Sequence, residues 1–372
     1  MTNQPGTQIQ VYIGTFTAME PHGRGRAGGM YIARLEPDSG ELTSVQTVPG
    51  VDNPSFVTLD PGQRHLYAVN EVPEYDGHSG GSVSAFAIDP ATGGLTYLGR
   101  QPTRGAGPCH MTIDDMGRWV LAANYDSGSV AMFGVAGDGR LGPPTDLVQH
   151  EGAGSDPERQ QGPHAHSVNL DPDCRFALVA DLGLDRIMVY HLDRTRGRLV
   201  PNDPPFTETR PGAGPRHLDF HPNGRYVYVI NELDSTLVAY EYDGERGTLS
   251  EVETVSTLPE GFAGTNGGGE VHAAASGRFV YGSNRGHDSI VVFAIDEASG
   301  RMTYVGHRST RGRTPRHFGL DPTGSFLFAA NQDTDTIVTF RVDTQTGCLT
   351  PTGHVREVPT PVCIGIRQSK ET

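Results

Sequence analysis

The stretch "GPRHLDFHPNGRYVYVINE", residues 214–232, sets one alternating apolar segment, a turn rich in Pro and Gly, and a second apolar segment that closes on Asn231 and Glu232. Alternation with a period of two on both sides of such a turn is the signature of a β-hairpin. The pattern returns as "NPSFVTLDPGQRHLYAVNE" at 53, "GPCHMTIDDMGRWVLAANY" at 107, "HAHSVNLDPDCRFALVADL" at 164, "GGEVHAAASGRFVYGSNR" at 268 and "TPRHFGLDPTGSFLFAANQ" at 314. One hairpin written repeatedly along a chain marks a repeat architecture.

A second pattern follows every copy: a strand such as "STLVAYEYD", a turn containing Gly, and an apolar residue that opens another strand. Those apolar residues are Leu42, Leu95, Leu141, Leu199, Leu249, Met302 and Leu349, at successive spacings of 53, 46, 58, 50, 53 and 47. Seven units of four antiparallel strands predict an all-β, seven-bladed β-propeller. "VYIGTFT" at 11 reads as the second strand of a unit and "TPVCIGI" at 360 as a first strand. The C-terminal strand is therefore expected to complete the N-terminal blade and close the ring, making residues 1–372 a single domain.

Composition agrees. Gly numbers 49 and Pro 27 in 372 residues, and no segment sustains a 3.6-residue apolar period, so turns dominate over helices. No basic leader followed by a long apolar core opens the chain, and no eighteen apolar residues run together. No membrane contact is expected, and the chain reads as soluble and cytoplasmic. The four cysteines lack CxxC spacing and read as reduced structural thiols. A net charge of -15 without a basic run speaks against nucleic acid. The expected state is a monomer or weak homodimer.

Seven internal copies allow scaffold to be separated from chemistry. The D-P-x-G turns and the arginines after them (Arg118, Arg175, Arg225, Arg278) recur, and are assigned to turns and salt bridges. Two places vary: the entrance to the first, innermost strand, and the residue just after the Asn that ends the second strand. Antiparallel neighbours bring both to one end of the channel. Arg216, Arg285 and Arg316, His110, His164, His166, His217, His272 and His317, and Glu71, Glu232 and Glu270 fall in or beside these places, and are expected to ring one mouth. Arginines converging inside an acidic protein call for an anionic ligand, a small lactone or sugar acid being the expected partner.

His110, His217 and His317 share one repeat position and fit hydrogen bonding between blades as well as substrate contact. His166, Arg216, Glu232 and Arg285 do not recur, which favours function. The pair His164 and His166 in "PHAHS" lacks a third ligand with clear spacing, so no catalytic metal is expected. The GGG at 267 precedes no helix and is no nucleotide loop, and no cofactor is implied.

The segments "YIGTFT", "NPSFVTLDP", "GPHAHSVNLDP", "GPRHLDFHPNGRYVYVINE", "GEVHAAASGRFVYGSNRG" and "TPRHFGLDPTG" together resemble the seven-bladed propeller lactonases, a family that includes bacterial 6-phosphogluconolactonases and fungal carboxymuconate cyclases. "AAASGR" at 273 departs from the proline-containing turn usual there, which should touch the loop and not the chemistry. By similarity to the cyclase branch, the resemblance implies His166, Arg216, Glu232 and Arg285 as catalytic residues, with His164 a competitor for the first. It implies hydrolysis of a sugar-acid lactone, with Glu232 or His166 as general base and Arg216 and Arg285 facing the oxyanion. The alternatives are lactonisation of a carboxymuconate, or a non-catalytic propeller that binds a protein partner.

Overall fold

A computed structural model describes residues 9–368 other than 21, 22 and 76. Seven four-stranded antiparallel sheets, joined by turns and loops, make up the architecture. Blade 1 runs outward as Pro361–Gln368, Ile9–Thr15, Gly29–Leu35 and Leu42–Pro49, so the last strand of the chain is the innermost strand of the first blade. Blades 2 to 7 begin at Val57, Pro108, Ala165, Pro215, Gly267 and Pro315 and follow chain order outward. Two short ribbons, Met19–Glu20 with Gly23–Arg24 and Glu74–Tyr75 with His78–Ser79, decorate connections. No helix of the described residues is long and apolar enough to cross a membrane.

The alternation read in the sequence becomes packing between blades, not around a centre. Each pair of adjacent blades shares its own apolar cluster, including the pair that closes the ring, where Phe326, Phe328 and Ile337 of blade 7 meet Ile9, Val11, Ile13 and Ala33 of blade 1. Blades 4 and 5, for example, share Phe176, Leu178, Val227, Val229 and Tyr240. The core is thus a torus, and the axis is left to polar side chains.

The recurrent turn residues have local jobs. The Asp of D-P-x-G accepts the backbone N–H groups that the turn leaves unpaired: Asp60 from Arg64 and His65, Asp114 from Arg118 and Trp119, Asp171 from Arg175 and Phe176. In the variant turn "AAASGR" Ser276 Oγ takes the Arg278 N–H instead, and the turn keeps its shape. Arg175 and Arg225 form the expected salt bridges, with Asp173 and Glu241. Arg278 reaches the carbonyls of Thr344 and Gln345 on the next blade, and Arg118 reaches Met116 Sδ. A second stitch was not foreseen: Tyr12, Tyr67, Tyr228 and Tyr281 each donate their hydroxyl to the carbonyl of a glycine on the following blade, Gly93, Gly139, Gly300 and Gly347. Those glycines have φ between +70° and +85°, and at Gly347 a Cβ would lie 2.5 Å from Phe279 Cδ1. Both the left-handed backbone and the close approach require glycine.

Candidate active site

In blades 3 to 7 the hairpin register slips at the entrance of the innermost strand, between Pro108 and His110, Ala165 and Ser167, Pro215 and His217, Gly268 and Val271, and Pro315 and His317. A bulge re-aims side chains, letting two consecutive residues serve the axis. Cys109, His166 and Arg316 thereby face a cavity at the mouth, while the residues after them, His110 and His317, line a second cavity deeper in the channel. Within blades 2, 3, 4, 5 and 7, the residue after the second strand is tied to the entrance of the first strand beside it, as where Glu232 N–H donates to Gly214 O at 2.8 Å.

The mouth cavity has a volume of about 360 Å³ and is lined by Glu71, Cys109, Tyr125, Arg159, His166, Glu232, Arg285 and Arg316. Its centre is the Glu232 carboxylate. Oε1 accepts Arg159 Nη2 at 2.7 Å, and Oε2 accepts Arg285 Nη2 at 2.6 Å and Arg216 Nε at 3.2 Å. His166 Nε2 lies 3.8 Å from Oε2. Arg216 sits beneath the cavity, buried, its Nη1 donating to Gly269 O at 2.7 Å. Arg285 also donates to Gly268 O. The Arg316 guanidinium lies 5.4 Å from the Phe16 ring and forms no ion pair among the described residues.

Burial alone would favour the neutral acid of Glu232, but Arg285, Arg216 and Arg159 outweigh it and hold the carboxyl far below the usual range. Burial, with Arg285 and Arg316 close by, lowers Arg216 to about 9. Burial, reinforced by Arg216, drives His166 well below 6.5, so at neutral pH its imidazole is uncharged. Desolvation pushes the Cys109 thiol well above its ordinary value, which makes it a poor nucleophile.

The single ring expected from sequence divides into layers. Glu71, His166, Glu232, Arg285 and Arg316 share the mouth, with Arg216 just below. His217 lies a layer deeper, its Nδ1 2.9 Å from Glu270 Oε1 and its ring 5.0 Å from His110 and 5.1 Å from His166. His110, Glu270, His272 and His317 line the inner cavity of about 230 Å³. His272 reaches the opposite end of the channel beside Gly319 and Asp321. The reason is length: His272 lies several residues along its strand from the entrance at Gly267, and each residue advances the chain by about 3.3 Å. His164 does not line the mouth cavity. It stacks on Tyr125 at 4.5 Å between ring centres, with Nδ1 3.0 Å from the Tyr125 carbonyl oxygen, and so braces that wall from behind.

Glu270 joins blades 5, 6 and 7 by meeting His217 and, at 3.2 Å, His317 Nε2. This is the inter-blade bonding considered for the recurrent histidines. Glu270, His272 and His317 also place ligand atoms within 4.8 Å of one another, the one grouping among the described residues that could hold a metal ion. It escaped the sequence reading because its members come from two blades.

Arg159 and Tyr125 escaped too. Tyr125 stood at a variable position without being chosen. Arg159 lies outside the repeat, on the connection between blades 3 and 4; its signal was the longest interval, 58 residues from Leu141 to Leu199.

Residues 10–366 match the family model for the lactonase seven-bladed β-propeller. A 6-phosphogluconolactonase from Bacillus subtilis is 37% identical over 84% of this chain and 85% of its own length, and one from Formosa agariphila 33% identical over 84% and 86%. The structure of a periplasmic gluconolactonase from Pseudomonas aeruginosa superposes with a TM-score of 0.90 at 34% identity, covering 96% of this chain and 99% of that one.

Proposed function

Because the chain belongs to the seven-bladed β-propeller lactonases, we propose that it hydrolyses a sugar-acid lactone, 6-phosphogluconolactone or a related aldonolactone, at the mouth of its channel. The observation that carries the residue assignment is the Glu232 carboxylate, clamped by three guanidiniums beside a neutral imidazole in a cavity of substrate size. Glu232 takes a proton from water as the water oxygen bonds to the lactone carbonyl carbon. Arg285, with Arg216 behind it, faces the developing oxyanion, where one well-placed donor is worth roughly 3 kcal/mol. Collapse breaks the ring C–O bond, and the leaving alkoxide takes a proton back from Glu232, His166 being the second group placed to move it. The carboxylic acid formed ionises, so each turnover releases one proton. Arg316, without an ion pair among the described residues, is the first anchor for the anionic substituent.

Glu232→Gln is expected to lower kcat by about 10² to 10⁴, the scale of general acid–base catalysis. Proton release from glucono-δ-lactone and its 6-phosphate, corrected for spontaneous hydrolysis, measures it. Unchanged turnover on both removes Glu232 from the chemistry. Carboxymuconolactone, run alongside, should not be opened; if it alone is turned over, the cyclase reading replaces this one.

We also infer a cytoplasmic location from four free cysteines, three of them buried. The Pseudomonas relative is periplasmic. Cell fractionation should recover lactonase activity with the cytoplasmic marker, and recovery in an extracytoplasmic fraction overturns the inference.

A further inference from the structure

Arg159 differs from the other two arginines on Glu232 in how it is held. Arg216 and Arg285 rise from the blades, are largely buried, and are each pinned to a backbone carbonyl as well as to Glu232. Arg159 stands on the connection between blades 3 and 4, and its side chain is 43% exposed. The pedestal beneath it is firm. Gln160 accepts the N–H groups of Ser155 and Asp156 and donates to Leu182 O and Asp185 Oδ1, while Asp156 Oδ1 accepts the N–H groups of Glu158 and Arg159. Only the long side chain reaches across the mouth, to Glu232 Oε1 at 2.7 Å and the Tyr125 hydroxyl at 3.2 Å.

This arrangement sets a problem for the chemistry. Both Glu232 oxygens are occupied by cations, and a carboxylate so stabilised is a poor acceptor for a water proton. Release of one of the three guanidiniums would restore its basicity. Arg216 and Arg285 are anchored elsewhere, so Arg159 is the one able to leave, and Oε1 is the oxygen it frees. Arg316 lines the same cavity and forms no ion pair among the described residues, so an anion entering beside it meets one waiting guanidinium and a second within a side chain's swing.

Resting on the lactonase reading, we propose that Arg159 is a gating and specificity residue: it clamps Glu232 until the phosphate of a phosphorylated lactone docks against Arg316, then passes to that phosphate and leaves Glu232 Oε1 open to water. Recognition of the phosphate and activation of the base become one event. A neutral lactone, offering no competing anion, leaves Arg159 on Glu232 and is a slower substrate. No bond is made or broken in this step, only the exchange of a charge-assisted hydrogen bond from carboxylate to phosphate.

The test uses the full chain with Arg159→Ala and Arg159→Lys, and proton release from 6-phosphoglucono-δ-lactone and glucono-δ-lactone. In Arg159→Ala the kcat/KM ratio of phosphorylated to neutral lactone should fall by about tenfold or more, as expected for one charge-assisted bond, with partial return in Arg159→Lys. The acid limb of kcat/KM should also move to higher pH with both substrates. Glu232 then keeps Arg216 and Arg285, with His166 and Tyr125 beside it and Arg316 and Glu71 lining the same cavity, but loses one cation that favours its ionised form. Equal losses on both lactones with an unmoved acid limb overturn the gate and reduce Arg159 to a structural clamp. Glu232→Gln separates the two failures. Turnover retained in Glu232→Gln overturns the lactonase assignment of this carboxylate and the gate with it, whereas an inactive Glu232→Gln beside equal Arg159→Ala losses overturns the gate alone.

Discussion

A chain ending at Thr360 is expected to yield no cooperatively folded protein. Residues 361–368 are the innermost strand of blade 1 and pair along the whole of Ile9–Thr15. Ile364 belongs to the cluster that joins blades 7 and 1, and Cys363 to the one that joins blades 1 and 2. Arg367 further ties Gln10 and the Gln63 carbonyl. Removing Val362, Cys363 and Ile364 forfeits roughly 1.5–3 kcal/mol for each large buried side chain, before the lost strand pairing and the newly exposed edge are counted. That approaches the whole stability of an ordinary domain, about 5–15 kcal/mol. Soluble yield and thermal unfolding followed by near-ultraviolet circular dichroism measure it. A truncated chain with the full-length melting curve would mean that the ring does not depend on its closing strand.

The second large effect is acid lability. His110, His166, His217 and His317 are buried along one channel, and burial is the leading cause that holds each below the ordinary value of 6.5, His317 at about 3 despite the attraction of Glu270. In the unfolded chain these imidazoles take up protons near pH 6.5; in the native protein they do not. Below that pH the unfolded state binds more protons, so the stability present above about 6.5 is lost as pH falls. Each histidine contributes up to about 1.4 kcal/mol per pH unit, and four together on the order of 5 kcal/mol. His272 has the opposite sign: burial lowers it, but Asp219 and Glu270 prevail and raise it, so it offsets part of the loss. Glu232, held low by its arginines, adds to the loss below about pH 4.5. The unfolding temperature at pH 5 should therefore lie many degrees below that at pH 8. A flat profile between them would show that the channel histidines take up protons in the native protein as readily as in the unfolded chain.

The fold was legible because its information is local. Period-two alternation, Asp-Pro turns and the recurrence of Leu199, Leu249 and their equivalents each need only a few residues to state. The closing strand could be read as well, since a first strand without a second at one end matches a second without a first at the other. Four members of the mouth cluster were also legible as candidates, because repetition supplies its own comparison: His166, Arg216, Glu232 and Arg285 fall at the two places that change from copy to copy while the turn residues recur. Arg159 breaks no pattern, having no counterpart, and only the length of its connection hinted at it.

What the sequence determined by itself is thus the torus and the side of it on which chemistry could gather, since strand alternation and turn chemistry are short-range properties of the chain. The tertiary structure alone decided how that side is layered. Bulges in the innermost strands turn Cys109, His166 and Arg316 to the mouth and His110 and His317 to the inner cavity, and seven blades converging on one axis bring Glu232 within reach of guanidiniums 53 and 73 residues away. Depth along a channel and contact across it depend on the closed ring, and no single repeat contains them.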